Sequence, residues 1–145
     1  MTKNSDFFTR ARVEGQYADI AENVGKCVFC DLRDKYVITK GGECVLTVNL
    51  YPYIDGQLLV VPRRHIERYS QLTQSELLEA DRLIKEGIKL LETGLAIKDF
   101  WLILREGTDS GKTVRHLHWN IIPYNERLNT WHYQEISVEP LELAE

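Results

Sequence analysis

The stretch His116-Leu117-His118-Trp119-Asn120-Ile121-Ile122-Pro123 constrains this chain more than any other. Up to Ile121, polar and apolar residues alternate, the two-residue period of a half-buried strand. One face carries His116, His118, Asn120 and Ile122. The other carries Leu117, Trp119 and Ile121, which must find a core. Pro123 suits a strand end, having no N–H for the ladder. Two imidazoles two residues apart on a strand stand roughly 6.5–7 Å apart along it. They suit neighbouring tasks better than joint binding of one small ion. Ahead of them, residues 106–115 form a polar loop with Gly107 and Gly111, whose backbone N–H groups and hydroxyls can hold an anion.

A chain of 145 residues suits one domain, residues 1–145, with one core. A net charge of −4 offers no broad basic surface for nucleic acid. No apolar run is long enough to span a bilayer, and the first residues carry no signal-peptide pattern. Cys27, Cys30 and Cys44 are too few and odd in number for a disulfide framework, so a cytoplasmic location is expected.

In order, residues 5–23 read as an amphipathic helix capped by Ser5 or Asp6 and weakened by Gly15. Residues 36–38 and 44–48 are short strands around Gly41-Gly42, and residues 57–62 are a third. Thr73-Gln74-Ser75-Glu76 has the capping-box pattern and opens a long helix, with Gly94 as its expected end. Residues 99–105 are an apolar strand that should pair antiparallel with the histidine strand. Arg63-Arg64-His65-Ile66-Glu67-Arg68 is a local basic cluster able to steer anions.

Cys27-Val28-Phe29-Cys30 has the spacing of half a zinc site or of a redox pair, and two buried thiols would look the same. Zinc needs two further donors, and the histidines that remain are His65, His116, His118 and His132. Cys44 sits inside a strand and reads as core.

Together, Gly111-Lys112-Thr113-Val114 and the His116-Leu117-His118-Trp119-Asn120 strand resemble the signature of the histidine-triad (HIT) superfamily. That signature has histidines at three alternating positions after a Gly-x-Ser/Thr-Val turn. Asn120 stands where the third histidine is usual, a variant similar to the H-x-H-x-Q of galactose-1-phosphate uridylyltransferases. The resemblance covers about residues 27–123, between an N-terminal helical extension and a tail, residues 124–145. It implies an α+β fold, an antiparallel sheet of about five strands with one long packed helix, and commonly a homodimer.

The resemblance also implies site roles. His118 matches the nucleophile. A structural zinc would be held by Cys27, Cys30, His65 and His116. Asn49 would meet the ribose hydroxyls and Leu50 the base of a purine or other nucleotide. Arg105, Gly111, Thr113 and Asn120 would meet phosphate, although the family usually has an amide where Arg105 stands.

Three chemistries fit these residues. The first is nucleotide hydrolysis or nucleotidyl transfer at an α-phosphate, through a nucleotidyl-histidine on His118. A neutral imidazole is a competent nucleophile at pH 7, and the substrate would be a dinucleoside polyphosphate, nucleoside phosphoramidate or nucleotide sugar. The second is a nucleotide-binding module with little turnover. The third is a zinc hydrolase with His116 and His118 on one catalytic metal.

Overall fold

A computed structural model describes residues 27–50, 52, 54–107, 110 and 114–124. The expected helix over residues 5–23, the loop residues Gly111 and Thr113, and His132 in the tail lie outside them.

Five strands form one antiparallel sheet: β1 (Val37–Lys40), β2 (Cys44–Val48), β3 (Leu58–Pro62), β4 (Phe100–Leu104) and β5 (Trp119–Pro123). Their order across the sheet is β1-β2-β3-β5-β4. One long helix, α1 (Gln74–Leu95), lies between β3 and β4 in the chain. The α+β architecture read from the sequence is the one observed.

The reason for this layout is on the helix-facing side of the sheet. Cys44, Leu46, Leu58, Val60, Trp119 and Ile121 point from β2, β3 and β5 onto Ala80, Leu83 and Leu91 of α1. Period two on the strands meets a helical stripe, and both bury their apolar faces at once. Gly87 makes the close approach possible. A Cβ there would come within 2.9 Å of Ile121 Cδ1 and 3.3 Å of the Leu46 and Leu58 methyls.

Two anchors fix α1 on the sheet. At its start, Glu76 N–H donates to Thr73 Oγ1 (3.1 Å) and Thr73 N–H donates to Glu76 Oε1 (3.0 Å), the reciprocal capping box. One turn later, the Glu79 carboxylate accepts from the N–H groups of Gly42 (3.0 Å), Glu43 (2.5 Å) and Cys44 (2.6 Å) in the β1–β2 turn. The helix runs through Gly94 to Leu95. Ala96 takes the left-handed conformation (φ 53°) and Ile97 N–H closes back on Leu91 O at 3.0 Å. The expected stop at Gly94 is therefore one residue early.

The histidine strand is shorter than its alternation predicts. The ladder begins at Trp119, paired with Val60 on one side and Leu104 on the other. His116, Leu117 and His118 come just before it, where Leu117 N–H donates to Ile66 O at 2.7 Å. The alternation here marks neither ladder pairing nor one-sided burial: all three are buried.

Candidate functional site

Pairing of β5 between β3 and β4 sets the ladder end, and the chain just before it meets the Cys27–Cys30 turn. There Cys30 N–H donates to Cys27 O at 3.1 Å, so the backbone brings both thiols to one side. Cys30 Sγ lies 3.2 Å from His65 Nδ1 and 3.4 Å from His116 Nδ1, and Cys27 Sγ lies 3.6 Å from His116 Nδ1. One ligand atom from each of Cys27, Cys30, His65 and His116 falls within 4.8 Å of all the others. Among the described residues this is the one group of three or more Cys, His and carboxylate side chains that can hold a metal ion.

The donors suit a cation. His116 Nε2 sits 2.7 Å from Pro62 O. A carbonyl only accepts, so Nε2 carries the hydrogen and Nδ1 presents its lone pair to the sulfurs. His65 turns Nδ1 toward Cys30 while its Nε2 lies 3.7 Å from the Glu67 carboxylate. Such carbonyl and carboxylate partners commonly orient metal-binding histidines. Tetrahedral zinc, with bonds of ~2.3 Å to sulfur and ~2.0–2.1 Å to nitrogen, spaces a sulfur and a nitrogen roughly 3.5 Å apart. The three S···N separations bracket that value. Without an ion, burial and the neighbouring Cys27 push the Cys30 thiol up to about 11. A bound cation reverses that preference and favours thiolate. Cys44 is fully buried in the core, with its thiol pushed up to about 12 by burial and the nearby Glu79, Glu76 and Glu43. It takes no part in the cluster, as its place in a strand predicted.

His118 is 9% exposed. Its Nδ1 lies 2.8 Å from His116 O and so carries the hydrogen. The neutral ring then has its lone pair on Nε2. His116 thus faces the cysteines through one nitrogen, holds Pro62 O through the other, and orients His118 through its carbonyl.

Phe29 and Gln57 are site residues that the sequence reading missed. The Phe29 ring, between the two cysteines, meets His118 edge-on with centroids 4.8 Å apart. Gln57, one residue before β3 and 2% exposed, donates from Nε2 to Asn120 Oδ1 at 3.1 Å. Asn120 Nδ2 donates to Ile103 O at 3.3 Å. Glutamine at the head of an apolar strand was the available signal, since a buried amide needs partners.

The remaining assignments are positional. Asn49 is half-buried at the end of β2, where its N–H donates to Gln57 O at 3.1 Å, and Leu50 beside it is 42% exposed. Arg105 is half-buried and follows β4. Ile103 pairs with Asn120 and Leu104 with Trp119, the last pair of that register, so Arg105 and His118 are each the residue next to that pair. The basic cluster is partly neutralised: Arg64 pairs with Glu76 at 2.7 Å and Arg68 with Glu106 at 3.5 Å. No helix among the described residues is long and apolar enough to cross a membrane.

Comparison with known proteins agrees with this geometry. A HIT-like protein of Mycoplasma genitalium is 29% identical over 104 residues, 69% of this chain and 74% of its own length. The asymmetrical bis(5'-nucleosyl)-tetraphosphatase of Schizosaccharomyces pombe is 34% identical over 76 residues, 52% of this chain. The match spans 42% of that enzyme, less than half its length. The crystal structure of the C. elegans NitFhit protein superposes with a TM-score of 0.63 at 27% identity, over 66% of this chain and 23% of that one. The family profile described as HIT domain matches residues 32–127, beginning after the two cysteines and spanning every strand among the described residues and α1; the chain belongs to the HIT family.

Proposed function

We propose that the chain is a nucleotide hydrolase or nucleotidyltransferase that works at an α-phosphate through a covalent nucleotidyl-histidine on His118. The observation that carries this reading is the His118 tautomer. Nδ1–H is held by His116 O, so the neutral ring has its nucleophilic lone pair on Nε2. Substrates of this class are dinucleoside polyphosphates, nucleoside phosphoramidates and nucleotide sugars. The S. pombe relative is named for the first of these.

Cys27, Cys30, His65 and His116 would hold a structural zinc, which would brace the His116 segment without touching substrate. Asn49 would take the ribose hydroxyls and Leu50 the base. Arg105, Asn120 and the loop residues Gly111 and Thr113 would bind phosphoryl oxygens as charge redistributes. The exposed β4 edge, with Leu102 48% exposed, is where we place the contact of a homodimer. A cytoplasmic setting keeps the two ligand cysteines reduced.

Turnover of a panel of nucleoside polyphosphates tests the reading. The parent protein should release a nucleoside monophosphate, and His118→Asn should not. Turnover that survives in His118→Ala would move the chemistry to the metal. Tight binding without turnover in the parent would make the protein a nucleotide-binding module, a reading favoured by the buried, non-titrating Asn120.

A further inference from the structure

Asn120 lies across β5 with its two amide ends fixed. On the β4 side is the Ile103 carbonyl, which can only accept, so Nδ2 must face it. Oδ1 then faces β3, where Gln57 must present its own Nε2. The backbone carbonyl dictates one amide, and that amide dictates the next. Both residues are buried, Gln57 at 2% and Asn120 at 4% exposure. Asn120 Nδ2 therefore lies on the β4 side of β5, and Arg105 is the residue that follows β4. That side offers amide hydrogens and a guanidinium, which is a permanent cation that does not give up a proton.

Resting on the function proposed above, we propose that Gln57 is a positioning residue that locks Asn120 as a hydrogen-bond donor, and that this amide pair confines the site to leaving groups that depart as anions. The step balances without an acid. The His118 Nε2 lone pair forms the N–P bond at the α-phosphorus. The bond from phosphorus to its bridging oxygen breaks, and that electron pair leaves on the oxygen as a terminal phosphate oxyanion, met by donors and positive charge. Water then forms a P–O bond, the N–P bond breaks, its electron pair returns to Nε2 and the water proton passes to solvent. An amine leaving group needs a proton before the P–N bond breaks, and neither Gln57 nor Asn120 has one to give. Of the three substrate types above, phosphoanhydrides are favoured and phosphoramidates are disfavoured.

The test compares two substrates with the same nucleoside. One is an anhydride whose leaving group is a phosphate, and the other is the 5'-phosphoramidate with an amine leaving group. A general acid typically contributes 10²–10⁴-fold, so kcat/KM for the anhydride should exceed that for the phosphoramidate by at least about 100-fold. Gln57→Leu should lower kcat on the anhydride about tenfold with KM within about twofold, because only transition-state alignment is lost. Gln57→Asn, which keeps an amide, should lose less. Metal content and the unfolding midpoint, measured for each variant, identify any that fail to fold.

Equal kcat/KM for the two substrates, with labelled nucleotidyl-protein formed from both, overturns the inference and leaves the covalent reading standing. Unchanged kcat in a folded Gln57→Leu overturns the positioning role. Absence of labelled protein and of turnover with both substrates overturns the covalent reading and this inference with it.

Discussion

The two ends of the motif, on either side of His118, are held by different chemistry. At the His116 end, four side chains drawn from three separate stretches of sequence converge through soft, titratable donors, with S···N separations of 3.2–3.6 Å. At the Asn120 end, two amides and a backbone carbonyl meet inside the ladder, and none of them titrates. The first end joins distant parts of the chain and would gain its strength from a bound ion. The second is built into the register of β3, β5 and β4 and needs nothing added. In this account fold stability is sensitive at the first end and reaction rate at the second.

The largest separation of the two should come from the cysteines. Cys27→Ser, or metal removal by a chelator, takes away a ligand or the ion itself. Ligand linkage of this kind is worth several kcal/mol, so the unfolding midpoint should fall by roughly 10 °C, taking about 2–4 °C per kcal/mol for a domain of about 150 residues. Calorimetry with metal analysis checks it. A midpoint unmoved by complete metal removal would put the strength of that end in the apolar core alone.

Asn120→Ala should do the reverse. It deletes hydrogen bonds to developing charge, which typically costs about 10²–10³ in rate, while its effect on metal content should be nil. A variant that loses bound metal along with rate would show that the two ends are one unit.

Legibility in the sequence follows the same division. Alternation, the capping box and the loop dipeptides locate the five strands and α1, because each is a local signal. The strand expected over residues 44–48 coincides with the observed Cys44–Val48. The cysteine cluster could be named only through the resemblance, since spacing within the chain cannot say which histidine folds back to residues 27 and 30. Gln57 could be read only as a buried amide that needs a partner, and its bond to Asn120 could not be read. It depends on the β3–β5 register, which pairs Leu59 with Asn120 and puts Gln57 on the same face. Gly87 escaped for a similar reason, as its small size matters only once α1 lies on Ile121.

Smaller effects are expected away from both ends. Glu79→Ala leaves three backbone N–H groups of the β1–β2 turn without their acceptor. Allowing for water reaching some of them, stability should fall by about 2 kcal/mol, read as a lower denaturant midpoint with activity per folded molecule unchanged. Acid should act in the same direction and more weakly. Burial raises the Glu79 carboxyl, but the three N–H groups outweigh it and hold it below its usual 4.5. The Arg64 hydrogen bond holds Glu76 below 4.5 as well. Both contributions are complete above that value and fade as pH falls through the lowered ones. A denaturant midpoint constant from pH 6 to pH 3 would contradict them.

The central claim is that His118 carries the nucleotide, and a single-turnover trap tests it most directly. The protein is mixed with an α-labelled dinucleoside polyphosphate, quenched in denaturant at alkaline pH, digested, and its peptides weighed. The account predicts an acid-labile, base-stable nucleotidyl group on the peptide containing His118, absent from His118→Asn protein that keeps its metal and its unfolding midpoint. Nucleoside monophosphate released at the parent rate with no label on His118 at any time point, or label retained in His118→Asn, would contradict it.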